Sequence, residues 1–427
     1  MLLQFSCSNY KSIKEPIEFS MLAANDSTAS SHSTPYNNMN ISRISVIYGA
    51  NGSGKSNFIT AAALAREIIV ESIHYQPGQS VLQFPHKLSA KTAPSKFAFQ
   101  FVVEGIRYAY GFSIVEGHVA EEYLYYFPKN RKAKIFDREE MNLTFGKKYK
   151  SSFPLVSDVL KENRLFLSCA ANFSKVSEVE KAFLFFKTDF LIYKTAVDEP
   201  RMNNWLEQSI DLMDKDPEIK ANFMDILSYL GTGIKGVETK VESISPEKIE
   251  KTLPKEMHDL VSKILQQHPD SFKSIKAQVI YENFSTDLMT EESTGIQKLF
   301  QIICPLMEIL STGKVLLCDE LETGLHEKII MHLIELFCRR HPEKSAQLIF
   351  TTHDTNLLDT RIFGRDQIWF TQLTQDRSTD LYSLLEIKNV RKKENLAARY
   401  IEGKYGAIPI LNTELLKTTS LKDVFDK

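Results

Sequence analysis

The segment Gly49–Ser56 reads G-A-N-G-S-G-K-S, which fits the phosphate-binding pattern G-x-x-x-x-G-K-S known as Walker A. Glycines in such a loop let backbone N–H groups turn towards phosphate oxygens, because no Cβ stands in the way. The Lys55 ammonium is expected to reach the β- and γ-phosphates of a nucleoside triphosphate, and the Ser56 hydroxyl to hold Mg²⁺. We therefore predict that ATP contacts Asn51, Gly52, Ser53, Gly54, Lys55, Ser56 and Asn57.

The residues on either side of this loop predict the strand and the helix that it requires. The apolar run Ile44–Tyr48 indicates a buried strand, and Asn57–Arg66 has a helix-forming composition. The N-terminus of that helix would add partial positive charge beside the phosphates. A Gly/Ser-rich turn that fits the pattern by chance is the alternative, and the strand–loop–helix context argues against it.

A pair of carboxylates follows a second apolar run. Val315–Cys318 precedes Asp319 and Glu320, which is the Walker B pattern. Asp319 at the strand tip can hold Mg²⁺, and Glu320 is placed to orient or deprotonate the water that attacks the γ-phosphate. An ordinary strand that ends in an acidic turn is the alternative. The preceding Walker A motif favours the catalytic interpretation.

His353 follows a third apolar run, Leu348–Phe350, and two threonines. In ATP-binding-cassette enzymes a histidine at this position contacts the γ-phosphate, and a neutral imidazole can donate that hydrogen bond. We predict this catalytic role for His353. The alternative is a solvated loop histidine.

The peptide Glu291–Lys298 predicts the start of a helix before Walker B, where cassette ATPases carry their signature peptide. Ser293 is a suitable N-cap, and Gly295 lets the backbone approach another group closely. A signature peptide offers its hydroxyl, its N–H groups and its helix N-terminus to the γ-phosphate bound by another protomer. A plain helix cap is the alternative, because the match to L-S-G-G-Q is partial.

Composition excludes several classes of protein. The 427 residues carry a net charge of −2, which gives no overall basic signature for nucleic acid. The five cysteines are scattered and form no C-x-x-C pair, so they suit a reducing cytoplasm better than a disulfide or zinc framework. We find no signal peptide at the N-terminus and no apolar run long enough to span a membrane. We therefore expect a cytoplasmic protein.

The order of predicted elements indicates an α/β fold with a mixed sheet, an antiparallel β meander and an inserted helical subdomain. Residues 1–175 would form the N-terminal half of the ATPase domain, 176–275 the helical insertion, and 276–427 the C-terminal half. The meander is predicted from the alternating runs within Lys96–Tyr126. The amphipathic segments Met202–Met213, Pro217–Tyr229 and Pro254–Gln267 predict the insertion, and the polar stretch Ala23–Asn40 predicts a loop.

Several longer segments resemble the cassette-type ATPases of the SMC, RecF and OLD lineage. They resemble more closely the AAA-15 type ATPases of phage-defence operons, such as RloA, AbiL and AriA. The matching segments are Phe5–Ser12, Glu292–Phe300, Lys314–Glu320, Gly324–His326, Phe350–Leu358, Arg365–Trp369 and Arg399–Pro409. The resemblance covers both ends of the chain well and the middle loosely.

This resemblance implies further site residues. Asn9, Lys11 and Ser12 should lie near the nucleotide, and Gln297 should join Ser293 and Gly295 in the signature that acts in trans. Gln100 could be a Mg²⁺ ligand, although an alternating surface position on a strand would explain it equally well. His326 is either a dimer contact or a helix-start residue.

The resemblance also implies a function. It suggests an ATP-binding and ATP-hydrolysing sensor or scaffold subunit of an anti-phage, abortive-infection system. The chain would form a homodimer or higher oligomer and control a separate effector, such as a TOPRIM-type or RloB-like nuclease, in response to a phage trigger. Only about seventy residues follow His353, which is too short for a TOPRIM domain, so we expect no nuclease activity in this chain.

Two other functions remain open at this stage. A RecF/SMC-like ATPase of DNA repair or maintenance would bind nucleic acid through basic residues, which a solvated surface explains as well. These residues are Lys129, Arg131, Lys132, Lys134, Lys147, Lys148 and Lys150. The nucleotide-binding subunit of a membrane transporter fits less well, because Phe5–Ser12 and the helical insertion favour SMC-like ATPases.

Overall fold

The computed structural model describes residues 1–24, 32–194, 205–243, 273–339, 344–391 and 394–409. In these residues the chain has the predicted α/β fold, with a mixed sheet and a separate antiparallel meander. The chain divides into two compact units. The first comprises Met1–Tyr193, Gly313–Leu321 and Ile334–Lys427, and the second comprises Lys194–Thr312 and Glu322–Leu333.

The strands in chain order are β1 (Leu2–Ser8), β2 (Ile17–Ser20), β3 (Ser33–Tyr36), β4 (Met39–Ser42), β5 (Ile44–Gly49), β6 (Ser95–Val103), β7 (Ile106–Val115), β8 (His118–Tyr126), β9 (Ala133–Glu139), β10 (Asn142–Phe145), β11 (Phe190–Tyr193), β12 (Gly236–Ser243), β13 (Lys273–Ile280), β14 (Ser285–Asp287), β15 (Val315–Cys318), β16 (Gln347–Thr351), β17 (Ile368–Leu373) and β18 (Thr379–Ser383). The described α-helices are α1 (Lys55–Glu71), α2 (Val156–Val159), α3 (Phe166–Phe173), α4 (Ser177–Leu184), α5 (Trp205–Lys215), α6 (Pro217–Tyr229), α7 (Thr294–Thr312), α8 (Glu327–Cys338) and α9 (Leu396–Ile401).

The central sheet of the first unit has six strands in the order β11-β15-β16-β5-β17-β18. The first five run parallel, and β18 pairs antiparallel with β17. Strands β5, β15 and β16 are buried along their whole length, which explains their continuous apolar sequences. Since parallel strands place their carboxyl ends at one edge, the residues after β5, β15 and β16 meet there.

The second sheet of this unit has seven antiparallel strands in the order β10-β9-β8-β7-β6-β1-β2, and β6, β7 and β8 are the predicted meander. Its inner face is rich in buried aromatic residues that alternate with less buried ones. Phe5 on this face packs against Phe58 of α1 with ring centroids 5.5 Å apart. This sheet therefore supports the helix that follows the phosphate-loop motif.

The second unit combines helices with a three-stranded antiparallel sheet, β12-β13-β14. Phe223 of α6 and Phe300 of α7 pack edge to face in its core. The segment predicted as a helical insertion, 176–275, therefore also contains β12 and the start of β13, and Ser177–Tyr193 belongs to the first unit. The predicted domain boundaries stay predictions. The predicted helix Pro254–Gln267 lies outside the described residues, as do the first residues of Met202–Met213.

The predicted loop Ala23–Asn40 is wrong in its second half, because β3 and β4 form an antiparallel pair there. The turn between them places Asn37 at a positive φ of 52°, a conformation that Asn tolerates better than most residues. Among the helices that the structure describes, none combines the length and the apolar character that a membrane crossing demands.

Candidate functional site

A cavity of about 620 Å³ lies at the carboxyl edge of the six-stranded sheet, within the first unit. The lining comes from three segments that are far apart in sequence. They are the phosphate-loop motif, the acidic residue after β15 and the histidine after β16. The described lining residues are Asn51, Gly52, Gly54, Lys55, Ser56, Asn57, Glu320 and His353. Sequence analysis had predicted a role in binding or hydrolysing ATP for every one of them.

The loop after β5 has the conformation that its glycines allow. Gly52 and Gly54 have φ values of 78° and 108°, which residues with a Cβ rarely adopt. A Cβ on Gly52 would meet nothing within 4 Å, so this glycine leaves open space at the cavity. The Lys55 ammonium is buried beneath the loop and donates hydrogen bonds to the carbonyl oxygens of Gly49, at 2.7 Å, and Ala50, at 3.2 Å.

The acidic pair after β15 is oriented by a threonine that ends β16. The Thr351 hydroxyl donates to Asp319 Oδ1 at 2.6 Å and accepts from the Glu320 N–H at 2.8 Å. Glu320 has a φ of 49°, in the left-handed region that a glutamate seldom occupies. This backbone conformation accompanies the position of Glu320 in the cavity lining, while Asp319 stays 7% exposed beneath it.

His353 is exposed at the cavity rim, two residues after β16 ends. The residue that follows it is anchored, because the Asp354 N–H donates to the Thr352 hydroxyl at 3.0 Å. The Asp354 carboxylate in turn accepts from the Asn356 N–H at 2.9 Å and starts a short helical turn. These hydrogen bonds of Asp354 therefore fix the backbone immediately after His353.

The N-terminal residues predicted to lie near a nucleotide take three different positions. The Asn9 side chain is buried and bonds the His86 N–H and the Ala93 carbonyl, so it braces a loop outside the cavity lining. Lys11 extends along α1, with its ammonium 3.5 Å from the Thr60 hydroxyl. Ser12 contacts the residue immediately after the motif, since its hydroxyl accepts from Asn57 Nδ2 at 2.7 Å.

Gln100 lies on β6 in the antiparallel sheet, where its side-chain amide donates to Gln4 Oε1 at 2.7 Å. It is not among the described residues that line the cavity. Its position therefore gives no support to a role as Mg²⁺ ligand, and it matches the alternating strand position that was the alternative.

A divalent cation would find only part of a coordination shell in this cavity. No group of three or more His, Cys, Asp and Glu side chains suited to a metal occurs in the described part of the chain. Ser56 and Asp319 offer hard oxygen ligands, which Mg²⁺ prefers, and Mg²⁺ usually takes its remaining ligands from phosphate and water. The donor set therefore fits Mg²⁺ that arrives together with a phosphate ligand.

The signature residues lie in the second unit. The Ser293 hydroxyl accepts from the Ile296 N–H at 3.3 Å, and Gln297 Nε2 donates to the carbonyls of Met289 and Glu292, both at 3.2 Å. A Cβ on Gly295 would lie 2.4 Å from the Gly324 carbonyl oxygen, so this glycine is required by packing inside the unit. Gln297 therefore shapes the preceding loop, and Ser293 has the N-cap role that its sequence position predicts.

Three threonines around the cavity were missed by the sequence analysis. Thr351 ends β16, Thr371 lies on β17 and Thr379 begins β18. Threonine is a common strand residue, so its presence after an apolar run carries no particular signal. Of the three, only Thr351 lies within a motif, in the segment that precedes His353. Thr371 and Thr379 contact the loop across more than 300 positions of the sequence.

Comparison with solved structures gives distant matches to heads of SMC proteins. One, the SmcHead bound to the C-winged helix domain of ScpA, has 15% identity and a TM-score of 0.41 over 90% of this chain and 97% of that chain. The SMC head domain from Thermotoga maritima has 14% identity and a TM-score of 0.39, over 90% and 98%. A head domain with an extended coiled coil, derived from Pyrococcus furiosus, has 12% identity and a TM-score of 0.39, over 90% and 96%.

No curated protein matches the chain. A protein-family profile does match it, over residues 44–172 and 192–359. These ranges include the phosphate-loop motif, both carboxylates and His353, and they amount to more than half of the chain. The chain therefore belongs to the family described as "AAA domain, putative AbiEii toxin, Type IV TA system".

Proposed function

We propose that this protein binds ATP with Mg²⁺ in the cavity at the carboxyl edge of the six-stranded sheet and hydrolyses it. The observation that carries the proposal is the convergence of Lys55, Ser56, Glu320 and His353 on one cavity. These residues supply a cation, a hydroxyl, a carboxylate and an imidazole, which are the groups that phosphoryl transfer to water requires. Membership of an AAA family supports the same activity.

Each residue has a role that its surroundings allow. Lys55 binds phosphate oxygens from beneath the loop, where its ammonium is already held by two carbonyl groups. Ser56 and Asp319 would hold Mg²⁺, which when bound would supply positive charge beside the phosphates. Glu320 orients the attacking water and accepts its proton, and His353 donates a hydrogen bond to the γ-phosphate.

Purified full-length protein tests this proposal through its Mg-ATP turnover and its affinity for a slowly hydrolysed ATP analogue. Glu320→Gln should retain affinity and lose turnover by about 100-fold or more, because it removes the general base. Lys55→Ala should lose affinity. The matched controls, Glu15→Gln and Lys87→Ala, change exposed residues outside the cavity lining and should behave as wild type. Equal turnover by Glu320→Gln and wild type would remove Glu320 from the mechanism.

The proposed active state is an assembly in which Ser293, Gly295 and Gln297 of one protomer complete the site of another. The N-cap position of Ser293 supports this role, since a helix N-terminus suits an anion. Mixing two inactive variants, Lys55→Ala and Ser293→Arg, tests it. Heterodimers would contain one complete site, so the mixture should regain roughly a quarter of wild-type turnover by statistical pairing. A mixture as inactive as its parts argues against action in trans.

The cellular role that we propose is a sensor or scaffold in anti-phage defence, which controls a separate effector such as a TOPRIM-type or RloB-like nuclease. The family description supports a system of several components, because a toxin–antitoxin system contains two proteins. ATP-dependent assembly would hold the effector, and a phage-encoded trigger would release it. The test is whether the gene and its neighbour together protect cells from phage. We expect the Lys55→Ala variant to lose this protection. Protection that persists in Lys55→Ala would contradict an ATP-driven role.

A second candidate, a RecF/SMC-like ATPase that binds nucleic acid, gains support from one surface of the meander. Tyr123 and Tyr125 lie side by side on β8 with ring centroids 5.4 Å apart, and the Lys132 ammonium lies 3.8 Å from the centre of the Tyr125 ring. Aromatic rings beside cations bind single strands by stacking and charge. Tyr123 and Tyr125 lie on β8, which pairs with β9, the strand that begins just after Lys132, so the folded sheet brings the rings and the ammonium together.

Binding of a fluorescent single-stranded oligonucleotide at several salt concentrations distinguishes the two candidates. If this surface binds nucleic acid, Tyr125→Ala should lower affinity at every salt concentration, and Lys132→Gln should reduce the salt dependence. Lys87→Gln, which changes an exposed residue outside this set of basic residues, is the control. Equal affinities for wild type and both variants would leave the defence role as the better supported function.

A further inference from the structure

A continuous chain of hydrogen bonds ties the phosphate loop to the two ends of the first unit. Asn57 Nδ2 donates to Ser12 Oγ at 2.7 Å, Ser12 Oγ lies 2.7 Å from Thr379 Oγ1, and Thr379 Oγ1 donates to the Ser53 carbonyl at 2.9 Å. Each hydroxyl has one proton. Since Thr379 gives its proton to Ser53, the Ser12 hydroxyl must donate to Thr379, and every bond in the chain runs in the same direction. Such aligned bonds strengthen one another.

Packing restricts the same contact. Thr379 is 3% exposed, and a Cβ on Gly54 would lie 2.1 Å from its hydroxyl oxygen. The Thr379 side chain therefore lies directly against the backbone of Gly54, the residue immediately before Lys55. The Thr379 N–H also donates to the Ser12 carbonyl at 2.7 Å, which fixes the start of β18 to the N-terminal turn.

A second threonine holds the loop from the neighbouring strand. Thr371 Oγ1 lies 2.6 Å from Ser53 Oγ and donates to the Tyr48 carbonyl at 3.3 Å, so Ser53 is the donor to Thr371. The hydroxyl of Ser53 is thus bound by β17, and its carbonyl is bound by β18. The peptide group between Ser53 and Gly54 has its orientation set by residues far away in the sequence.

We propose that Thr379 is a positioning residue for nucleotide binding, and that with Ser12 it holds the loop in its phosphate-binding conformation before the ligand arrives. The inference rests on the proposed function. Both residues lie outside the ranges matched by the family profile, and neither touches the ligand in this scheme. A loop that is already ordered loses less conformational freedom on binding, and its affinity is correspondingly higher.

Three variants test this role. Thr379→Val keeps the shape of the side chain and removes the hydroxyl. Thr379→Ser restores the hydroxyl. Thr374→Val is the control, because it removes a hydroxyl from the same hairpin. The Thr374 hydroxyl bonds Asp376 and Ser378 and makes none of the loop contacts described above. The measured quantities are the Kd for a slowly hydrolysed ATP analogue with Mg²⁺, and KM and kcat for Mg-ATP.

Thr379→Val should raise Kd and KM by about tenfold, which corresponds to the loss of one buried hydrogen bond, and should change kcat by less than about twofold. Thr379→Ser should recover most of the affinity, and Thr374→Val should match wild type. An unchanged KM in Thr379→Val, or a loss confined to kcat, would overturn the inference.

Two further results keep the test decisive. If Thr379→Val does not fold, Ser12→Ala interrupts the same hydrogen-bond chain from a half-buried position and should raise Kd by about three- to fivefold. An unchanged Kd in Ser12→Ala would then overturn the inference. If wild-type protein itself binds no ATP analogue, the proposed function fails. If wild type binds and the variants bind equally well, the positioning role fails alone.

Discussion

The Thr351 hydroxyl donates its proton to the Asp319 carboxylate and at the same time accepts the N–H of Glu320, so one side chain orients the metal ligand and the general base that we assign. Thr351→Val should lower kcat by about tenfold, because the Glu320 backbone would lose a contact that holds its left-handed conformation. Thr351→Ser keeps the hydroxyl and should retain most of the activity. Steady-state ATP hydrolysis measures both, and equal kcat values for wild type and Thr351→Val would contradict this role.

Two glycines of the loop should respond differently to alanine. A Cβ on Gly49 would lie 2.6 Å from the Thr371 carbonyl oxygen and still closer to the hydroxyl oxygens of Thr371 and Ser53. A Cβ on Gly52 would meet nothing within 4 Å. We expect Gly49→Ala to lower the melting temperature by several degrees, because β5 and β17 must separate. Gly52→Ala should melt within about 3 °C of wild type, since only its positive φ is strained, yet bind the ATP analogue more weakly. Equal melting temperatures for both variants would contradict the packing at Gly49.

A buried ion pair supports the meander. Glu122 and Arg138 are both fully buried, and the Glu122 carboxylate also accepts the N–H groups of Phe166 and Leu167 at the start of α3. Burial raises the pKa of Glu122, and Arg138 opposes that shift. Glu122→Gln should destabilise the protein by about 3–5 kcal/mol, because it leaves the Arg138 charge buried without its counterion.

Thermal or urea unfolding of Glu122→Gln beside Glu121→Gln checks this prediction. Glu121 is the preceding residue on β8, and its ion pair with Lys96 is exposed on both sides. Exposed pairs contribute about 0–1 kcal/mol, so the control should unfold close to wild type. Similar unfolding midpoints for the two variants would show that the buried pair contributes little.

The cysteines should be unreactive in the native protein. Burial raises the pKa of Cys169, Cys304 and Cys338 to about 12, and raises that of Cys7 further. Since the thiolate is the reactive form, labelling by a thiol reagent at pH 8 should be slow until denaturant is added. A rapid burst that labels Cys7, Cys169 or Cys304, which are all buried, in native protein would contradict this prediction.

The same shifts give an alkaline dependence of stability with a definite sign. A thiol whose pKa is raised by folding keeps its proton in the native state when the unfolded chain has lost it. The stabilisation is therefore complete below the unfolded pKa of about 9 and is lost as the pH rises towards 12. Melting temperatures measured from pH 8 to pH 11 should fall, and less steeply in a Cys304→Ala variant.

Local sequence signals were enough for the elements that carry the motifs. The strand before Gly49, helix α1, the meander and helix Pro217–Tyr229 follow from apolar runs, helix-forming composition, alternation and amphipathic spacing. Strand β12 was not predicted, because Gly236–Ser243 contains only two Val among charged and small residues and lies next to helical segments. Strands β3 and β4 were not predicted, because the Ser, Thr and Asn residues of this stretch are typical of loops as well as of edge strands.

The site residues also separate into those that a local motif predicted and those that only the folded chain identifies. Lys55, Ser56, Glu320 and His353 were predicted because each belongs to a motif whose chemistry is local to a few residues, and all four line the cavity. Gln100 was placed by resemblance alone, and the structure puts it in a side-chain pair with Gln4. Thr371 and Thr379 could not be found, since their importance depends on which loop they contact after folding.

The hydrogen bond between Ser12 and Thr379 joins residues that are 367 positions apart, and this separation sets a condition on protein synthesis. A ribosome that adds roughly 5–20 residues per second needs about 20–70 s to pass from one to the other. For most of that time the emerging chain carries every residue of the Gly49–Ser56 motif without the contact that holds it. A nascent or prematurely terminated chain would therefore compete poorly for cellular ATP, and tight nucleotide binding would be acquired only by molecules translated through β18.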